Sequence, residues 1–163
     1  MFTITFADPA SPDSVSLMEE LSATLADITG DSGTASFDPT DVRAPNARFA
    51  VARDCEGRAI GCGGFRPLQI GVAEVKRMYS RPGTSGVGSA VLAFLEAEAM
   101  SLGYEALWLE TRIVNQRAVA FYERRGYSRI PNFGKYLGNA KAVCFEKRLI
   151  LPRPRGVVHG PDF

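Results

Sequence analysis

Metal ligands are scarce in this sequence. One histidine, His159, stands near the end of the 163 residues, and the three cysteines, Cys55, Cys62 and Cys144, form no C-x-x-C pair. No metal site is expected from such spacing. Charge of one sign is lacking too. With 19 basic and 18 acidic residues the formal net charge is +1, so nothing in the composition attracts a nucleic acid. No run approaches the ~18 apolar residues of a membrane span, and Met1-Phe2-Thr3-Ile4 does not begin a basic-then-apolar leader. A cytoplasmic location without a membrane partner is expected. What is present, 45% apolar and 23% charged residues, is too apolar for disorder and suits one globular domain.

Periodicity divides that domain into elements. Residues 2–6 read as a strand, and Leu17, Leu21, Leu25 and Ile28 form the stripe of a helix closing before Gly30. From 31 to 46 the chain is rich in Gly, Ser, Thr, Asp and Pro, a connection with one short helical turn expected near Asp38. Residues 48–53 and 58–66 predict a hairpin across Asp54-Cys55-Glu56-Gly57, whose glycine supplies a positive φ. A third strand over 72–79 follows the turn at Gln69-Ile70-Gly71. Beyond Pro82 a glycine-bearing loop leads into a helix marked by Ala90, Val91, Phe94, Leu95 and Met100 and ended by Gly103. Residues 107–111 read as a strand, 115–125 as a helix capped by Gly126, and 127–130 and 142–149 as two closing strands. The order βαβββαβαββ predicts an α/β fold on a mixed sheet. Residues 1–150 make one domain. Residues 151–163 lack periodicity and read as a tail, disordered or a loose strap.

The stretch Arg81-Pro82-Gly83-Thr84-Ser85-Gly86-Val87-Gly88-Ser89-Ala90 leaves a strand and enters a helix. A helix N-terminus presents unpaired N–H groups and about half a positive charge, and glycines let a phosphate approach the backbone. An ordinary glycine-rich turn would look the same. A Walker loop is absent, because no Lys-Ser/Thr follows, and no G-x-G-x-x-G follows the first strand. With the preceding Ala73-Glu74-Val75-Lys76-Arg77-Met78-Tyr79, the loop resembles the acetyl-CoA signature of the GNAT superfamily. A second motif agrees: Asn115, Ala118 three on, Tyr122 seven on, then Gly126-Tyr127. The loop departs from the family pattern at Gly83, where Gln or Arg is usual, and is about two residues short.

The resemblance covers 49–149 and implies an acetyl-CoA-dependent N-acetyltransferase on a GNAT-type mixed, mostly antiparallel central sheet flanked by helices. The acceptor would be a primary amine of a small molecule or amino acid. A protein lysine or N-terminal acceptor, a non-catalytic acyl-CoA sensor and a homodimer stay open. Resemblance assigns the coenzyme to the backbone of Met78, Tyr79 and Ser80, to the loop from Gly83 through Thr84, Ser85, Gly86, Val87, Gly88 and Ser89, and to Asn115 and Ala118. Arg81 by charge and Thr84 and Ser85 by hydroxyl are expected to compensate for the altered loop. Asn115 would also serve as a plain helix N-cap. An amine with a pKa near ~10.4 must lose a proton before it attacks; Glu74 is the leading base, with Glu110 on the next strand as the alternative. Tyr122 matches the family's acid for the departing thiolate, although helical spacing equally makes it core. Phe65, Arg66, Thr111, Arg112, Phe133 and Tyr136 fall where the family lines its acceptor site. Cys62 and Cys144 read as buried apolar residues, not nucleophiles.

Overall fold

The computed structural model describes residues 1–34 and 37–150, and within them the expected order of strands and helices is present. The elements are β1 (Phe2–Phe6), α1 (Pro12–Thr29), β2 (Arg48–Asp54), β3 (Ala59–Gln69), β4 (Val72–Ser80), α2 (Val87–Ser101), β5 (Ala106–Arg112), α3 (Gln116–Arg124), β6 (Ser128–Ile130) and β7 (Ala142–Arg148). A 3-10 turn at Pro39–Val42 answers the helical turn expected near Asp38. The expected tail at 151–163 lies outside the described residues.

Local chemistry sets the boundaries. Ser11 caps α1 by accepting from the Ser14 N–H, Pro12 opens its first turn, and Gly30, left-handed at φ 80°, returns its N–H to the Ala26 carbonyl. The turns before β3 and β4 use Gly57 at φ 81° and Gly71 at φ 75°. The seven strands form one sheet in the order β1-β2-β3-β4-β5-β7-β6. Only β4 and β5 pair in parallel; the other neighbours are antiparallel.

Each face of the sheet buries its own cluster. On one, Phe65, Ala73, Val75, Leu107, Leu109 and Phe145 pack under α2 (Val91, Leu92, Leu95) and Tyr122 of α3. On the other, Phe49, Val51 and Cys62 pack under Leu17 and Met18 of α1. Each large apolar side chain removed from water there stabilises the fold by about 1.5–3 kcal/mol. No helix among the described residues is long and apolar enough to cross a membrane.

Candidate active site

Strands β4 and β5 pair at Val72↔Ala106, Ala73↔Leu107 and Glu74↔Trp108, and then part. Strand β4 runs on to Ser80 and β5 to Arg112, so the edge of β4 over 75–80 that faces β5 has no strand partner. Backbone N–H and C=O groups along an open edge are ready to pair with an extended chain that carries amides. Because the two strands are parallel, α2 and α3, which follow them, both begin at the open end of the split. A cavity of about 170 Å³ occupies the split. Its walls include Glu74, Lys76 and Met78 of β4, Glu110 and Arg112 of β5, Ala118 and Tyr122 of α3, and Leu21 and Leu25 of α1.

At the split the β4 backbone is bulged. Register moves from Gly64↔Lys76 to Cys62↔Tyr79, so β4 spends one residue more than β3, and Arg77 stands at φ 57°. The side chain of Arg77 holds this conformation from the α1 side. Its Nη2 donates to the Met18 carbonyl (3.1 Å) and the Ser22 hydroxyl (2.6 Å), and its guanidinium lies 5.5 Å from the Phe37 ring centre. Arg77→Gly and Arg77→Ala both remove these bonds, but only alanine keeps a Cβ in a left-handed conformation that costs about 1–2 kcal/mol. Thermal denaturation is therefore expected to rank Arg77→Gly above Arg77→Ala, with the parent above both. Alanine more stable than glycine would show that the bulge carries no strain.

Two of the carboxylates on the cavity wall, Glu74 and Glu110, keep different company. Glu74, 1% exposed, accepts at Oε1 from Arg66 Nε (3.1 Å) and Nη2 (2.8 Å), and at Oε2 from the Tyr136 hydroxyl (2.9 Å). Lys76 Nζ stands 3.7 Å from the same Oε2 and donates to the Tyr136 oxygen at 3.3 Å. Burial pushes the Lys76 ammonium down to about 8, against the pull of Glu74. Across the split Glu110 pairs with Arg112, whose other nitrogen lies 3.9 Å from Asp31. Burial raises the Glu110 pKa above its ordinary value, and Arg112 only partly offsets this. Tyr122 packs edge-on to Phe121 and Tyr127 with its ring on the cavity wall, and its hydroxyl has no hydrogen bond among the described residues. Burial raises its pKa too.

The chain that folds in this way is similar to known proteins. The model of the acetyltransferase (GNAT) family matches residues 15–127. The chain belongs to the GNAT acetyltransferase family. A protein of Azospirillum brasilense named IAA acetyltransferase is 33% identical over 150 residues, covering 90% of this chain and 97% of that one. A Klebsiella pneumoniae structure described as an acyl-CoA N-acyltransferase superposes with a TM-score of 0.78 at 30% identity, over 92% of this chain and 99% of that one. The GNAT-family acetyltransferase of Staphylococcus aureus Mu50 shares the fold, with a TM-score of 0.74 at 14% identity, over 92% and 100% of the two chains. Membership bears out the expected fold and the expected class, an acetyl-CoA-dependent N-acetyltransferase.

Within this GNAT frame the loop over 81–86 leads from β4 into α2. Gly83 and Gly86 are left-handed, at φ 84° and 76°, and no side chain caps α2, which leaves the first-turn N–H groups of Val87, Gly88 and Ser89 facing the loop. Arg81, however, gives its Nε to Glu20 (2.9 Å), and the Thr84 hydroxyl donates to the Arg81 carbonyl (2.7 Å). The Thr84 hydroxyl proton is thus engaged within the loop, whereas Arg81 is engaged through Nε alone. Ser85 is exposed at the loop tip. Asn115 does cap α3, its Oδ1 accepting from Ala118 N–H at 3.3 Å, and it lines the cavity as well.

Acceptor-side expectations divide similarly. Thr111, Arg112 and Tyr136 line the cavity, and Arg66 reaches it through Glu74. Phe65 does not: it is fully buried on the α2 face, edge-on to Tyr104 at 5.7 Å. Neighbours on a strand point to opposite faces, so Phe65 and Arg66 cannot share one cavity. Phe133 stands behind the wall, between Trp108 (5.1 Å) and Tyr136 (5.4 Å), and bounds no part of it. Cys62 and Cys144 are buried, and burial raises both thiols, in keeping with packing roles. Lys76 was not expected. The period of two counted from Glu74 points to it.

Proposed function

We propose that this chain moves an acetyl group directly from acetyl-CoA to the primary amine of a small molecule, with Glu110 as base and Tyr122 as acid. The observation that carries the reading is the parting of β4 from β5 after Glu74↔Trp108. Pantetheine amides would pair along the open β4 edge at Met78, Tyr79 and Ser80. The diphosphate would lie on the N–H groups of Val87, Gly88 and Ser89, where the helix dipole favours negative charge. A backbone N–H at the bulge would face the thioester oxygen as charge develops on it.

Glu74 and Glu110 exchange the ranks that the sequence gives them. The oxygens of Glu74 already accept three hydrogen bonds and have Lys76 at 3.7 Å, which fits a role in positioning the wall. Glu110 has one close cation and a raised pKa, the condition of a base tuned toward neutral pH. A small acceptor suits the cavity's size. Through Thr29, Asp31 and Arg112 the cavity continues into a groove with exposed Ile28, Ile113, Val114 and Leu137, where the acceptor's apolar body would lie.

Two measurements test the proposal. Acetyl-CoA is expected to raise the melting temperature, since a ligand of the folded state stabilises it. Thiol release is expected with a panel of small amines at least tenfold faster than with lysine peptides. Faster turnover of peptides would make the acceptor a protein, and a thermal shift without thiol release from any amine would make the chain a sensor.

A further inference from the structure

Among the described residues Lys76 supplies the only primary amine on the cavity wall, beside Glu74 and Tyr136. Its Nζ is 3.7 Å from Glu74 Oε2, and Glu110 lines the same cavity from β5. Two residues further along β4 is Met78, which lines the same cavity where the thioester would lie. We propose that Lys76 is itself an acetyl acceptor: with acetyl-CoA bound and no external amine in the cavity, Lys76 Nζ takes the acetyl group. The inference rests on the reading that acetyl-CoA enters the split.

The step is the intramolecular form of the family's reaction and needs no further reagent. The lone pair of neutral Nζ attacks the thioester carbonyl carbon, the C–N bond forms, and the C–S bond breaks with its electron pair on sulfur. Nitrogen sheds its proton to Glu110 and from there to water, the thiolate takes a proton from Tyr122, and water returns a proton to the Tyr122 phenolate. The products are Nζ-acetylated Lys76 and coenzyme A. Holding the amine beside the carbonyl removes the translational and rotational cost of bringing two molecules together.

The surroundings favour the neutral amine. Lys76 is 8% exposed, and burial lowers its pKa to about 8, so a large share is uncharged in mildly alkaline solution. The groups that face it are Glu74 on its own strand, Arg66 on β3, Asp41 on the 3-10 turn, Lys135 and Tyr136 beyond β6, and Glu110 on β5. Glu74 and Asp41 raise its pKa, Arg66 and Lys135 lower it, and burial exceeds them all. Acetylation has a further consequence. It removes a positive charge from beside Glu74 and fills cavity volume, so the site closes to external amines when acceptor is scarce and acetyl-CoA abundant.

The test incubates the whole protein with acetyl-CoA and no acceptor, follows intact mass over time, and maps the modified residue by proteolysis. The expected result is a single acetyl group on Lys76, added at least tenfold faster than on Lys135, Lys141 or Lys147. The rate should saturate with acetyl-CoA, rise with pH through the Lys76 titration, and fall when excess desulfo-coenzyme A competes. Acceptor turnover should decline as the label accumulates, and Lys76→Arg should carry no label. Because the map is made on the parent protein, the result stands whether or not that variant folds. Lys76 left unmodified in a protein that acetyl-CoA stabilises and that turns over an external amine overturns this inference alone. Uniform labelling of all lysines overturns it as well. If acetyl-CoA neither stabilises nor labels the protein, the reading of the split falls and this inference with it.

Discussion

Glu110→Gln is expected to lower kcat by about 10²–10⁴-fold, the usual contribution of a positioned general base, without lowering the melting temperature. Burial makes Glu110 bind its proton more tightly in the folded chain than in the unfolded one. Its contribution to stability is therefore present at acid pH, below the unfolded value, and is lost as pH rises through the folded value. At neutral pH the ionised carboxylate costs the fold some stability, and glutamine removes that cost. The base works only when ionised, so kcat/KM should rise with pH through an inflection above the ordinary carboxylate range. That inflection should be missing in Glu110→Gln.

Glu74→Gln provides the contrast. It leaves the Arg66 guanidinium and the Lys76 ammonium without their shared carboxylate, in a place where breaking a buried pair costs about 3–5 kcal/mol. A lower melting temperature with a modest change in the pH profile is expected. Should Glu74→Gln instead abolish that inflection at an unchanged melting temperature while Glu110→Gln keeps it, the two roles are reversed. Each variant yields a rate and a stability, and the proposal requires the two to move in different combinations.

The distance over which information had to travel decides what the sequence made legible. Helix stripes, capping residues such as Asn115 and turn glycines such as Gly57 are local patterns, and the element order follows from them. The family was legible for another reason, since two short motifs at fixed separation carry it. What was not legible depends on pairs far apart in sequence. Glu20 is 61 residues from Arg81, and nothing beside Arg81 announces that its charge is already matched. Arg66 and Tyr136, 8 and 62 residues from Glu74, meet at its carboxylate only in the folded sheet, so the hydrogen bonds they give it have no local signature in the sequence. The positive φ of Arg77 has no signature in its residue type, because the bonds to Met18 and Ser22 that hold it come from α1. Phe65 is a different kind of miss. Strand alternation alone separates it from Arg66, so the error lay in grouping by resemblance two neighbours that the pleat sets on opposite faces.

Tyr122→Phe is expected to lower kcat by about 10²-fold, at the low end for acid catalysis. The size follows from the leaving group, because a thiol with a pKa near ~8.5 departs as thiolate far more readily than an amine or alcohol would. Phenylalanine keeps the ring among Phe121, Tyr127 and Phe145, and the hydroxyl it lacks makes no hydrogen bond among the described residues. The melting temperature should therefore stay close to that of the parent, which separates chemistry from packing. Rate loss alone would still admit a steric role, so the decisive readout varies the thiol. In the parent the proton from Tyr122 blunts the dependence of kcat on the acidity of the leaving thiol; in Tyr122→Phe that dependence should steepen, and an acetyl thioester of a more acidic thiol should recover most of the lost rate. An equal loss with every thioester would remove Tyr122 from proton transfer and leave it as a wall of the cleft.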